Sequence, residues 1–171
     1  LLRMAPGRRY RRVTLASGRT LHAVTFGAGE ILTVPRYLDV ENARGWLVMG
    51  SPAARLVPLV APALPVLVPL IRPLLEPLVT RAPDPTPQER AASRFTIRVE
   101  LRADDRERAV EVQGADPYGL TALATVHGAR RAMEPDAPAG VLAPAQLVDP
   151  RAFLDALGER DLRLLWDDGQ S

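Results

Sequence analysis

Apolar and polar residues alternate strictly along one stretch, where Phe95, Ile97, Val99 and Leu101 interleave with Thr96, Arg98, Glu100 and Arg102. A period of two predicts a β-strand with one apolar and one charged face. The turn Ala103-Asp104-Asp105-Arg106 and the run 109–113 complete a hairpin, so the sheet here is expected to be antiparallel with one face solvated. An earlier ribbon is predicted over 12–27, where Val13, Leu15, Leu21, Ala23 and Phe26 flank Ser17-Gly18-Arg19. Residues 30–34 (EILTV) read as another strand stopped by Pro35, and 40–49 as a further one despite Gly45. A last strand is expected at Leu162, Leu164 and Trp166.

Helices are predicted between and after these ribbons. Thr86-Pro87-Gln88-Glu89 is a capping box with proline at the first helical position, opening a short helix to about Ala92. Leu120, Leu123, Ala124, His127, Ala129 and Met133 recur near helical spacing over 117–133. Asp149-Pro150 starts a final helix with Phe153, Leu154 and Leu157 facing inward and Gly158 as its stop. Strands and helices in this order predict an α+β fold, its sheet largely antiparallel or mixed with helices packed on one face. The domain reading is a basic arm over 1–11, a single α+β domain over 12–158, and a C-terminal strand and tail over 159–171.

One segment fits neither pattern. Residues 56–79, LVPLVAPALPVLVPLIRPLLEPLV, carry prolines at 58, 62, 65, 69, 73 and 77. Helical winding would put most of them on one stripe, yet each interior proline disfavours a helix by about 3 kcal/mol. The expectation is therefore a Pro-rich apolar arm of broken helical turns. Arg72 and Glu76 interrupt it, leaving sixteen uncharged residues, short of a membrane span. Three readings stay open: a buried connecting arm, an arm facing a membrane surface or a partner protein, and a true span.

Composition removes much chemistry. The 171 residues contain no Cys, which excludes disulfides and thiolate sites, and only His22 and His127 carry imidazoles, so no metal centre is expected. All 22 basic residues are Arg, which excludes lysine Schiff-base chemistry and a Walker-type phosphate lysine. A net charge of +2 and 5% aromatics argue against a nucleic-acid partner. Five Arg among the first twelve residues form a basic arm, read as a solvated terminus or a contact for RNA or anionic lipid. No apolar signal-peptide core follows Leu1-Leu2-Arg3-Met4, and a chain that starts so close to a strand reads as a piece of something longer. The expected location is cytoplasmic, and membrane-peripheral if the arm meets lipid.

Candidate chemistry is sparse. Gly27-Ala28-Gly29 follows a strand, but a dinucleotide loop would need glycine where Leu32 stands and a helix in place of EILTV, so a hairpin turn is expected. Gly-x-Ser-x-Gly is absent, His127 reads as a helical core residue, and Asp104, Asp105 and Glu107 as a solvated hairpin tip. Residues 114–122 (GADPYGLTA) are richer. Asp116 as N-cap and Pro117 at the first position place Tyr118, Gly119 and Thr121 in a helical first turn, where amides attract anions and Gly119 permits close approach. The alternative is an ordinary capped helix.

These residues resemble a family. The runs RFTIRVEL, ERAVEVQGADPYGLTALATVHGARRAM and PAGVLAPAQLVDPRAFLDAL are similar to the C-terminal half of saccharopine dehydrogenase-like oxidoreductases, as is GEILTVPRYLDVENARGWLVMG upstream. Those proteins share a strand ending in a G-x-D-P-x-Y-x-x-T-A type turn into a long helix, then a G-V-x-x-P-A loop, here 140–145. The resemblance spans about 20–158, and the chain departs from the family's D-P-G-Y form in lacking the glycine between Pro117 and Tyr118. It implies a second domain that covers the cleft of an NAD(P)-binding Rossmann domain absent from this chain, shapes the substrate pocket and forms a homodimer. It further implies that no cofactor binds this chain alone. Cleft candidates are Asp116, Tyr118, Gly119 and Thr121, with Glu30 and Arg36 flanking the strand before the hinge. The rival reading is a non-catalytic module that docks through 56–79.

Overall fold

The computed structural model describes residues 6–80, 83–158 and 163–167. Arg3, Leu162 and Asp168, together with the side chains of Leu157, Leu164 and Trp166, lie outside what is described. The fold is α+β, with two three-stranded antiparallel sheets. The chain forms two compact units, Leu1–Asp84 and Pro85–Ser171.

In the first unit β1 (Tyr10–Thr14), β2 (Thr20–Phe26) and β3 (Gly45–Met49) pair in the order 1-2-3. Gly18, at φ +78°, makes the turn between β1 and β2, and its amide donates to the Leu15 carbonyl at 2.8 Å. Val13, Ala23, Val24 and Thr25 are buried, with Ala54 and Ala61 added from the helical segment beyond β3. Gly45, suspect as a strand residue, is required: a Cβ there would lie 2.7 Å from the Phe26 carbonyl oxygen and 3.0 Å from Ile31 Cδ1.

Two expectations for this unit are corrected. Residues 30–34 are helical: α1 (Glu30–Thr33) runs into a 3-10 turn, Val34–Arg36. The Gly29 carbonyl accepts the Leu32 amide at 3.0 Å, and Pro35 suits a first helical turn, where a missing amide hydrogen loses nothing. β-branched residues alone suggested a strand, and local hydrogen bonding overrode them. The second correction concerns the basic arm. Arg11 and Arg12 lie in β1, with the Arg11 guanidinium 4.5 Å from the Trp46 ring centre, and the Gly7 amide donates to the Thr25 carbonyl at 2.6 Å.

The Pro-rich arm is helical throughout, as a 3-10 turn Pro52–Leu56, α2 (Val57–Val60), a 3-10 turn Ala61–Ala63 and α3 (Leu64–Thr80). The expected broken turns occur around Pro58 and Pro62, while Pro69, Pro73 and Pro77 sit inside the continuous α3. From position 65 the sequence repeats every four residues: PVLV, PLIR, PLLE, PLVT. Four is also the span of an α-helical hydrogen bond, so each amide that a proline lacks would have gone to the preceding proline's carbonyl. The losses share one row, and the other three residues of each turn keep their amides. Of the described residues of 56–79 only Ala61 is buried and none of α3 is, so the arm packs near its start and is exposed along α3.

In the second unit β4 (Arg94–Ala103), β5 (Arg106–Ala115) and β6 (Arg163–Asp167) pair in the order 4-5-6. Asp104, at φ +52°, makes the tight turn that sets Arg98 opposite Glu111 and Val99 opposite Val110. The helices α4 (Pro87–Ala92), α5 (Pro117–Ala132), α6 (Pro144–Leu147) and α7 (Pro150–Gly158) start at prolines. The Asp149 carboxylate accepts the Ala152 amide at 2.7 Å to cap α7, and the His127 ring meets the Phe153 ring edge-on at 6.0 Å. His127 is thus a packing residue, as its helical spacing suggested.

The faces of this sheet reverse the expected burial. Glu111 is fully enclosed, and Arg98 and Glu100 on the same face are largely shielded, whereas Ile97, Val99 and Leu101 are 54%, 44% and 58% exposed. Arg98 makes the inversion tolerable by pairing with Glu111 at 2.9 Å and Glu100 at 3.0 Å, while Gln113 donates to the other Glu111 oxygen at 3.2 Å.

Candidate functional site

The β5–α5 junction is built by Asp116. Its amide donates to the Ser93 carbonyl at 3.1 Å, and its own carbonyl accepts the Leu120 amide at 3.0 Å. Between these anchors Asp116 adopts φ +49°, ψ +69°, a left-handed conformation that aspartate tolerates better than most residues. Its Oδ1 accepts the Gly119 amide at 2.9 Å, capping α5. A Cβ at Gly119 would press on the Asp116 carboxylate where it now stands, so the bare glycine lets that carboxylate lie close over the first turn. Pro117 supplies the fixed φ of the first helical position.

This geometry corrects the anion-site expectation. The Asp116 carboxylate already occupies the start of α5, so a second negative charge would meet repulsion. The turn suits a neutral or cationic polar group instead. Asp116 offers carboxylate oxygens as acceptors, and the Tyr118 side chain, 60% exposed, carries a phenol that both donates and accepts. The Thr121 hydroxyl donates to the Pro117 carbonyl at 2.8 Å, leaving only its lone pairs for a ligand. Asp116, Tyr118, Gly119 and Thr121 therefore share one turn, as their spacing implied.

Glu30 and Arg36 do not join them on any shared element. Both belong to the first unit, Glu30 opening α1 and Arg36 ending the following 3-10 turn, and both are exposed. They were expected to flank a strand, and they flank consecutive helical turns instead.

Gly27-Ala28-Gly29 leads from β2 into α1, so one reason for dismissing a dinucleotide loop fails, because a helix does follow. The residues still do not fit the cofactor. Leu32 stands where the third glycine would be, Glu30 puts a carboxylate at the helix start, and β2 pairs antiparallel with β3 instead of entering a parallel crossover. The described residues hold no cluster of His, Asp and Glu able to bind a metal ion.

The sequence reading missed the enclosed Arg98–Glu100–Glu111–Gln113 network. Its signal was present, because the two-residue turn at Asp104-Asp105 sets the register and places arginine opposite glutamate. The network is internally paired, which makes it a structural element. No family model, no curated protein and no solved structure matches the chain.

Proposed function

We propose that this chain is the second, substrate-covering and dimerising domain of a saccharopine dehydrogenase-like NAD(P)-dependent oxidoreductase. One observation supports the reading above others. The motif residues fall on a strand, an Asp116-capped turn, a sixteen-residue helix, a loop in which Gly140 takes φ +120°, and the proline-started α6, in the order that the resemblance implies. Hydride transfer belongs to a nicotinamide held by a separate Rossmann domain, and this chain's own residues bind and orient the substrate. The Tyr118 phenol donates to a substrate carbonyl oxygen, and the Asp116 carboxylate accepts from a substrate hydroxyl or ammonium.

The test is Tyr118→Phe in the polypeptide that includes the cofactor domain. Losing a donor to a carbonyl that gains negative charge lowers kcat/KM by about tenfold or more. Unchanged kinetics would remove Tyr118 from the site. Tyr118 is exposed, so the variant is expected to fold normally.

A second reading, a non-catalytic module docking through 56–79, is favoured by the exposure of that arm. Under it, Tyr118→Phe leaves every measurable property of the protein unchanged, whereas altering α3 abolishes binding.

A further inference from the structure

The segment Pro52–Leu74 spans 23 residues and is, by length and composition, apolar enough to cross a membrane, and only 11% of its eighteen-residue apolar window is buried inside the protein. Val66, Leu70 and Leu74 lie 77%, 77% and 74% exposed along one row of α3. Winding α3 at about 100° per residue puts Leu67 and Ile71 beside that row, and Arg72 and Glu76 on the opposite side with Pro65 and Pro69. The Arg72 guanidinium and Glu76 carboxylate pair there at 3.3 Å.

The prolines decide how such a helix meets lipid. The carbonyls of Pro65, Pro69 and Pro73 have no amide hydrogen four residues on, because Pro69, Pro73 and Pro77 stand there. A hydrocarbon core offers no donor to replace those amides, so a lone spanning helix would carry a row of unmet acceptors. Lying in the interface, the same helix turns that row toward hydrated headgroups and its Leu/Val rows toward acyl chains.

Charge identifies the surface. Residues 1–84 hold eleven Arg against five acidic residues, a net of +6, while 85–171 hold eleven Arg against fifteen, a net of −4. The apolar helix belongs to the strongly basic unit, where Arg8, Arg9 and Arg12 are exposed. We propose that α3 lies flat in the headgroup–acyl boundary of an anionic membrane, with Val66, Leu70 and Leu74 buried in lipid and the arginines of its unit on the phosphates. This does not depend on the oxidoreductase reading.

The experiment is flotation of the full chain with phosphatidylcholine vesicles, with and without phosphatidylserine, together with oriented circular dichroism on supported bilayers. Binding is expected only with phosphatidylserine, with α3 parallel to the membrane. Leu70→Glu with Leu74→Glu should reduce the bound fraction at least tenfold. A second variant leaves the helix intact: Arg8→Gln with Arg12→Gln weakens binding about fivefold per arginine. Equal flotation on uncharged vesicles, a helix aligned with the bilayer normal, or binding indifferent to both variants would overturn the proposal. So would a lack of flotation accompanied by a dimer that Leu70→Glu and Leu74→Glu dissociate, since a second copy would then be the occupant.

Discussion

Glu89 reaches back to the Thr86 amide at 2.7 Å and to its hydroxyl at 2.8 Å, while the Glu89 amide donates to that hydroxyl at 3.3 Å. The amide bond first, and the hydroxyl second, hold the Glu89 carboxyl below its ordinary value of 4.5. A lowered folded value means that the cap's contribution is complete above the ordinary glutamate range and fades as pH falls through the folded value. Acid titration followed by the Thr86 amide resonance should therefore show a midpoint below 4.5. A midpoint at or above it would show that the carboxylate does not hold the cap. This box was legible because Thr-Pro-Gln-Glu encodes it within four residues, and Asp149-Pro150 was legible for the same reason. At Asp116 the identity of the cap was legible and its consequence was not. That its carboxylate fills the helix start, and disfavours an anion there, follows from its bond to the Gly119 amide, whereas no local pattern reveals the left-handed backbone at Asp116.

At the scale of elements, strict alternation located β4 and β5, and the turn residues between them set the register. Which face would be covered was not legible, because alternation distinguishes two faces without saying what packs on either. The Arg98–Glu111 pair lets a charged face close, and Ile97, Val99 and Leu101 are left for another surface. If a second copy covers them, as the proposed dimerisation requires, Val99→Glu should shift the protein to monomer in light scattering while leaving its melting temperature nearly unchanged. A dimer that survives Val99→Glu would move the interface elsewhere. The segment 30–34 shows the opposite failure: four apolar or β-branched residues outweighed the Gly29 carbonyl and Pro35, which together turn the chain into helix. In α3 the spacing of the prolines is visible in the sequence, but six prolines over 56–79 together argue against a continuous helix. A four-residue phase gathers the missing bonds in one row and spares the rest of the helix.

For the whole molecule, net charge conceals the organisation. A balance of +2 comes from a basic unit and an acidic one, and the apolar helix sits in the basic unit. The chain presents an Asp116-capped turn with Tyr118 exposed on it and an exposed apolar helix, yet its own glycines do not form a dinucleotide loop. The central claim is therefore that the cofactor is held by a Rossmann domain working with this chain. Reading the gene upstream of the Leu1 codon tests that most directly. The expected result is an open frame encoding a strand, a G-x-G-x-x-G turn and a helix, fused in line with this chain. An in-frame stop directly before the Leu1 codon, with no dinucleotide-binding protein co-purifying with the chain, would contradict the claim and leave the docking module as the account that stands.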